Sequence, residues 1–297
     1  MAKARKILAR KKAINAIHTV TSTMEMVATA RFKKTFNRCI SARDYIKGIS
    51  ELVEDILRRC DRSKLKHPLI LPRESVHPQR EIIILTSDRG LCGSYNQTIL
   101  KLADDYIKSQ QSNAKDLNIT LIGKKGNQLA KTLGITPNRS ELAEDFSHWK
   151  DISQFADSMM TKYLEGEILS VEIFYTALVG TGKQEPTQIQ LLPMTLPELP
   201  DEEDRWSRME KRVSYEFIPS ATVMLERILP MQIRLRMLEC FTEAAVTEQI
   251  ARMSAMRGAS ESAEDMIREL TVEYNRTRQS QITTELTEIL GGQIALE

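Results

Sequence analysis

The chain is 297 residues long, enough for two domains or one large one, and its formal net charge of +2 selects neither nucleic acid nor a membrane surface as partner. Its four cysteines, Cys39, Cys60, Cys92 and Cys240, lie far apart with no C-x-x-C pair, and its four histidines are equally scattered, which argues against a disulfide framework or a zinc site. No apolar run approaches the ~20 residues that cross a bilayer, and the first residues open into a helical pattern without a signal core, so a soluble protein that stays where it is made is expected.

The first predicted element is a helix over about residues 3–62, where Gly48 is the only glycine and proline is absent. At 1.5 Å per residue it would span roughly 85–90 Å. It begins with a basic run, Lys3, Arg5, Lys6, Arg10, Lys11 and Lys12, and Glu25 is the only acid before Asp44. Such a run marks either a solvated helix face or a docking strip. Ile7, Ile14, Ile17, Thr21, Met24 and Ala28 recur at spacings of seven, three and four, and Ile49, Val53 and Ile56 resume the stripe. That is a narrow seam for one helical partner rather than a broad core-facing stripe. Pro68, Pro72 and Pro78 then close the helix and form a linker.

From Arg80 to about Pro200 the period changes. Glu81–Ser87 is an apolar β-branched run and reads as a buried strand; Asn118–Ile122 is a second. Helices are predicted over Asn96–Gln110, Asn127–Leu133 and Asp151–Leu164. Ser170–Val179 and Thr187–Leu192 read as strands, paired antiparallel. Strands alternating with helices imply a small sheet covered by helices. A locally acidic stretch follows at Asp201–Asp204.

The last part restarts at Pro219-Ser220 and becomes continuous after Pro230. Met231, Leu235, Leu238, Thr242 and Ala245 keep a four-three step; the seam then drifts by one residue to Met253, Met256, Ser260, Ala263, Ile267, Leu270 and Tyr274. A 3.6-residue helix following a 3.5-residue seam drifts in this way. The N-terminal helix is the obvious partner. The predicted fold is therefore mixed α and β: a long antiparallel coiled coil of N- and C-terminal helices, projecting from a central Rossmann-like α/β domain. Its domains are 1–62, 80–200 and 219–297.

Four stretches invite a chemical reading. Ser87–Asn96 (Ser-Asp-Arg-Gly-Leu-Cys-Gly-Ser-Tyr-Asn) lies where a strand feeds a helix, the ligand-binding position of open α/β sheets. Its glycines do not have the G-x-G-x-x-G spacing, and Cys92 has no neighbouring histidine to activate it, so a structural turn with a capped helix is expected. Gly180–Lys183 lacks the spacing and the hydroxyl of a phosphate loop and reads as a hairpin bend. Gly123–Gly126 reads as a tight basic turn. Met24, Met26, Met253 and Met256 suit adaptable helix packing better than a promiscuous groove. No carboxylate pair, metal cluster or triad stands out, and no catalytic, cofactor-binding or metal residue is predicted.

Motifs spread over the whole chain carry a resemblance. They are Thr21–Ala28 (Thr-Ser-Thr-Met-Glu-Met-Val-Ala), Ser87–Gly93 with Asn96, Gln184–Thr187 with Leu191–Pro193, and Glu248, Ala251–Met253, Ala255-Met256, Tyr274-Asn275, Arg278-Gln279, Ile282-Thr283, Glu285 and Glu288. In this order and spacing the chain resembles the gamma subunit of the F-type ATP synthase. It departs from that family around Ser22, where a lysine is usual, at Gly258 and Ser262, where asparagine is common, and at Gly292-Gln293, where the family closes on Gly-Ala. Differences of this kind mark a divergent or second copy. The redox insert of chloroplast gamma subunits is absent, so no thiol switch is expected.

The resemblance implies a non-catalytic rotor. The terminal helices would form a central shaft inside a ring of alternating alpha and beta subunits. The α/β domain would be a foot on the epsilon subunit and the c-subunit ring. It implies subunit contacts at Met24, Glu25, Met26, Arg252, Met253, Met256, Arg278, Gln279, Thr283 and Glu285. It implies no nucleic-acid partner, no cofactor, and membrane contact only through the complex, on the cytoplasmic face of a bacterial inner membrane. A static coiled-coil scaffold and a nucleotide-binding α/β protein are the alternatives: the first calls for a broad apolar outer face on the C-terminal helix, the second for a nucleotide site near Asp88–Asn96.

Overall fold

The structure is a computed structural model that describes residues 2–59, 67–70, 79–110, 117–180, 183–194 and 221–294. The linker prolines Pro72 and Pro78, the stretch Asp201–Asp204, Pro219-Ser220, Cys60 and Thr181-Gly182 lie outside the described residues. In chain order the elements are α1 (Ala2–Arg59), β1 (Gln79–Leu85), α2 (Tyr95–Ser109), β2 (Leu117–Ile122), α3 (Lys124–Thr132), β3 (Arg139–Glu141), a 3₁₀ turn (Ala143–Phe146), α4 (Trp149–Glu165), β4 (Ile168–Val179), β5 (Lys183–Leu192) and α5 (Ala221–Ile294). The long last helix runs through Pro230, so continuity begins earlier than the sequence suggests. Proline there has no N–H to donate to the carbonyl of Glu226 four residues back, and the helix continues past that one missing bond.

The chain forms two compact units whose boundaries fall inside the long helices: one is Met1–Arg31, Leu91–Gly93 and Gln249–Glu297, the other Phe32–Gly90 and Ser94–Glu248. Each long helix therefore contributes a segment to both units.

The sheet unit is built on five strands in the order β3-β2-β1-β4-β5, with β1, β2, β3 and β4 parallel and β5 antiparallel to β4. Central β1 buries Ile82, Ile83 and Ile84 in succession, as a strand covered on both faces must. Alternation sorts the two faces. Ile83, Leu85, Ile173 and Tyr175 join one core with Phe155, Met159 and Tyr163 of α4, Val53 and Ile56 of α1, and Leu229, Ile233, Met237 and Phe241 of α5. On the other face Phe174 stacks at a tilt against Tyr106 of α2. Each such buried side chain contributes about 1.5–3 kcal/mol. The short edge strand β3 and the 3₁₀ turn were not legible in the sequence pattern.

In the helical unit the inward residues of α1 are Ala4, Ile7, Lys11, Ile14, His18, Thr21, Glu25 and Ala28, an alternating three-four step. Ile17 and Met24, which the apolar pattern assigned to this stripe, are instead 52% and 38% exposed. Two phases of the same three-four step pass through Ile14, Thr21 and Ala28. The structure takes the one through His18 and Glu25, and Arg257 of α5 stands opposite Glu25. On α5 the expected stripe holds: Met256, Ser260, Ala263 and Leu270 are buried, and Met253, Ile267 and Tyr274 half-buried.

Candidate functional site

The strand-to-helix turn after β1 has the geometry of a ligand site and is filled by the chain itself. Ser87 N–H donates to Asn96 Oδ1 (2.9 Å), and Asn96 Nδ2 donates to Ser87 Oγ (2.8 Å), closing the loop on its own backbone. Ser94, at the start of α2, makes no side-chain cap; Asn96 takes over the fastening expected of a capping residue. Asp88 accepts from Lys124 N–H (3.0 Å) through one carboxylate oxygen and from Glu144 N–H (2.9 Å) through the other. Its charge thus stands at the N-terminus of α3, where a phosphate would otherwise be favoured, and repels one.

Gly123–Gly126, expected as a basic turn, instead opens α3. Gly123 has φ +113, and a Cβ at Gly123 or Gly126 would overlap Thr86. These glycines are small because the helix start passes close over Thr86, whose hydroxyl donates to the Ile122 carbonyl (2.7 Å). The β4–β5 hairpin is paired up to Val179 and Lys183, with Gly180 at φ +64, as a bend requires.

A cavity of about 390 Å³ lies in the sheet unit among Arg38, Tyr95, Phe146, His148, Trp149, Phe241 and Glu248. Its hydroxyls at Thr86 and Tyr95 are bonded to backbone carbonyls of Ile122 and Ala244. Cys39, Cys92 and Cys240 are buried thiols in no disulfide. Burial pushes the Cys39 and Cys240 thiols up, which removes thiolate character rather than conferring it. Among the described residues no group of acids, histidines and cysteines could hold a metal ion.

The helical unit gathers the residues implied as subunit contacts, in two environments. Thr21 accepts from Ser260 Oγ (2.7 Å), and Arg257 donates to Glu25 Oε1 (2.9 Å). A step back from Glu25 to Thr21 on α1 is matched by a step forward from Arg257 to Ser260 on α5, so the two segments run antiparallel. Arg252 and Met256 are buried in this unit and Met253 is half-buried. Met24 and Met26 face outward, Met26 at 65% exposure. Arg278, Gln279, Thr283 and Glu285 are all exposed. The hydroxyls of Thr283, Thr284 and Thr287 donate to carbonyls four residues back, which leaves a surface of short, self-satisfied polar groups. Val272, Ile282 and Leu286 are exposed but interrupted by polar residues. Arg257 was missed in the sequence reading; its one available signal is the acid Glu25 on the facing stripe, a pairing that needs the register of the two helices.

A family model described as ATP synthase matches residues 3–296. The ATP synthase gamma chain of Rhodopirellula baltica is 41% identical over 301 residues, covering all of both chains. That of Legionella pneumophila strain Corby is 32% identical over 302 residues, again over both full lengths. Among solved structures, a chain of the Euglena gracilis mitochondrial ATP synthase (OSCP/F1/c-ring, rotational state 3) matches with TM-score 0.63 at 19% identity, covering 99% of this chain and 95% of that one. A chain of the Tetrahymena thermophila central stalk/c-ring matches with TM-score 0.55 at 17% identity, covering 81% and 99%. The structural likeness establishes the shared mixed fold of terminal helices and central sheet. Together these matches define a subunit of the ATP synthase family. The chain belongs to the gamma chains of that family.

Proposed function

We propose that the chain is the central-stalk rotor that couples ion translocation through a membrane sector to ATP synthesis or hydrolysis at catalytic beta subunits. The observation that carries this reading is the full-length likeness to gamma chains, joined to an exposed polar set on the last part of α5 at Arg278, Gln279, Thr283 and Glu285. The two terminal segments form an antiparallel coiled coil, for which the three-four burial steps and the Thr21–Ser260 and Glu25–Arg257 bonds are the support. Each orientation of this asymmetric shaft favours one conformation of the beta subunit it faces, through contacts that differ between conformations.

Met24, Met26, Arg278, Gln279, Thr283 and Glu285 touch the surrounding ring of alpha and beta subunits. Glu25, Arg252, Met253 and Met256 serve the same contacts from the seam side by holding the two helices in register. Exposed ion pairs across the rotor surface contribute no more than about 1 kcal/mol each, enough to bias a dwell without locking it. The sheet unit is the Rossmann-like foot on the epsilon subunit and the c-subunit ring. Catalysis belongs to the beta subunits, so the chain is non-catalytic alone. Among the described residues no helix is long and apolar enough to cross a membrane, which suits attachment through the complex on the cytoplasmic face.

Co-expression of the tagged chain with the alpha and beta subunits of its own organism tests the reading. A stoichiometric complex is expected, with ATPase activity that is lost when 271–297 is deleted. A chain that purifies alone, or a deletion that alters neither assembly nor activity, would overturn it.

A further inference from the structure

A rotor must pass torque between its foot and its shaft, and the sheet unit contains a joint of the right kind. Strand β4 is longer than its neighbour β1: their pairing ends at Ile84 and Phe174, while β4 continues to Val179. Beyond Phe174 the β1-facing edge of β4 has no strand to complete its ladder. Two side chains of α5, one helical turn apart, take that role. Thr247 Oγ1 lies 3.0 Å from the Thr176 carbonyl, sharing its proton with the Glu243 and Ala244 carbonyls of its own helix (2.9 and 3.1 Å), and Glu243 Oε2 accepts from Leu178 N–H at 3.4 Å. Thr176 and Leu178 are two residues apart, so the groups they present to α5 lie along one edge of the strand.

The surrounding groups reinforce the placement. Glu243 is 5% exposed and Thr247 fully buried. Arg43 of α1 donates to the other Glu243 oxygen at 3.4 Å, and Tyr95 at the start of α2 donates to the Ala244 carbonyl at 3.1 Å. Apolar packing of Phe241 and Ala244 resists separation but allows a helix to slide or roll. Directed bonds to a strand edge do not: a slip of one residue would leave a carboxylate and two backbone groups buried without partners.

We infer that Glu243 and Thr247 key α5 to the open edge of β4, fixing the helix in height and rotational phase on the sheet so that torque on the sheet is passed to the helix. Glu243 is a positioning residue in this account, since it touches no substrate. The inference rests on the rotor reading above and adds to it the place where torque crosses from sheet to helix.

The test uses the whole membrane-embedded complex carrying Glu243→Leu or Thr247→Val, with Glu243→Gln and Thr247→Ser as conservative partners. ATP hydrolysis, ion pumping per ATP hydrolysed and amide exchange at Leu178 are measured together. Each disruptive variant should lower the pumped-to-hydrolysed ratio severalfold while hydrolysis changes little. Glu243→Leu should also speed Leu178 exchange by about tenfold, the effect of losing one buried bond. Gln and Ser keep the acceptor and the donor and should restore the ratio. If Glu243→Leu does not assemble, Thr247→Val carries the same expectation for the ratio. An unchanged ratio in the disruptive variants, or an equal loss in the conservative ones, overturns the key. A wild-type complex that excludes the chain or does not pump overturns the rotor reading instead, which separates the two failures.

Discussion

The two compact units bury their residues by different rules. In the sheet unit, isoleucines in succession on β1 feed apolar layers on both faces of the sheet, one of which holds an aromatic cluster of Phe146, Phe155 and Phe241. In the helical unit the seam admits Lys11, His18, Thr21 and Glu25 among its inward positions and depends on specific partners such as Ser260 and Arg257. The first arrangement is strong and tolerant of direction. The second is weaker per residue but sets a register.

Truncations should separate the units most strongly. Phe174→Ala, at a fully buried site, is expected to cost about 3–5 kcal/mol in urea unfolding, whereas Ile14→Ala, half-buried in the seam, should cost about 1–2. Equal losses at the two sites would erase the distinction. Gly123→Ala should destabilise the sheet unit by about 2–3 kcal/mol, because φ is positive there and the new methyl meets Thr86; a neutral result would mean that α3 starts elsewhere.

The polar seam predicts non-additivity. Thr21→Val and Ser260→Ala should each cost about 1 kcal/mol, and the double variant little more than either alone. Strictly additive losses would show that the two hydroxyls do not meet. Arg257→Ala should cost less than about 1 kcal/mol and lose even that in high salt, since the arginine is largely exposed.

A pH effect is expected from Glu81, which is fully buried on β1 and bonded to Asn118 and Thr120. Burial raises its pKa above the ordinary 4.5, outweighing the two hydrogen bonds that favour the charge. The folded state therefore binds the proton more tightly than the unfolded chain. Its contribution to stability is fully present below pH 4.5 and is lost as pH rises through the raised folded value. Glu81→Gln should flatten that decline in pH-dependent unfolding; an unaltered slope would place the titration in another group.

Element types were legible where periodicity was strong. The isoleucine run of β1, the β4–β5 pair and both long helices follow from apolar spacing and from the placement of glycine and proline. The phase of the α1 seam was not legible, because Ile17 and Met24 are more apolar than His18 and Glu25 and only the facing residues of α5 decide between them. The helix start at Gly123 was hidden for a similar reason: its glycines answer to Thr86, 37 residues earlier in the chain. Asp88, which binds two backbone amides, looked in sequence like part of a possible phosphate turn. Its partners at Lys124 and Glu144 exist only after folding.

The central claim is that this chain turns. A probe fixed to the sheet unit of an immobilised alpha-beta-gamma complex would report it directly in a single-molecule assay with ATP. The account predicts stepwise rotation in one direction, stopping when ATP is withdrawn. A complex that hydrolyses ATP at full rate while the probe only fluctuates about one angle would contradict it.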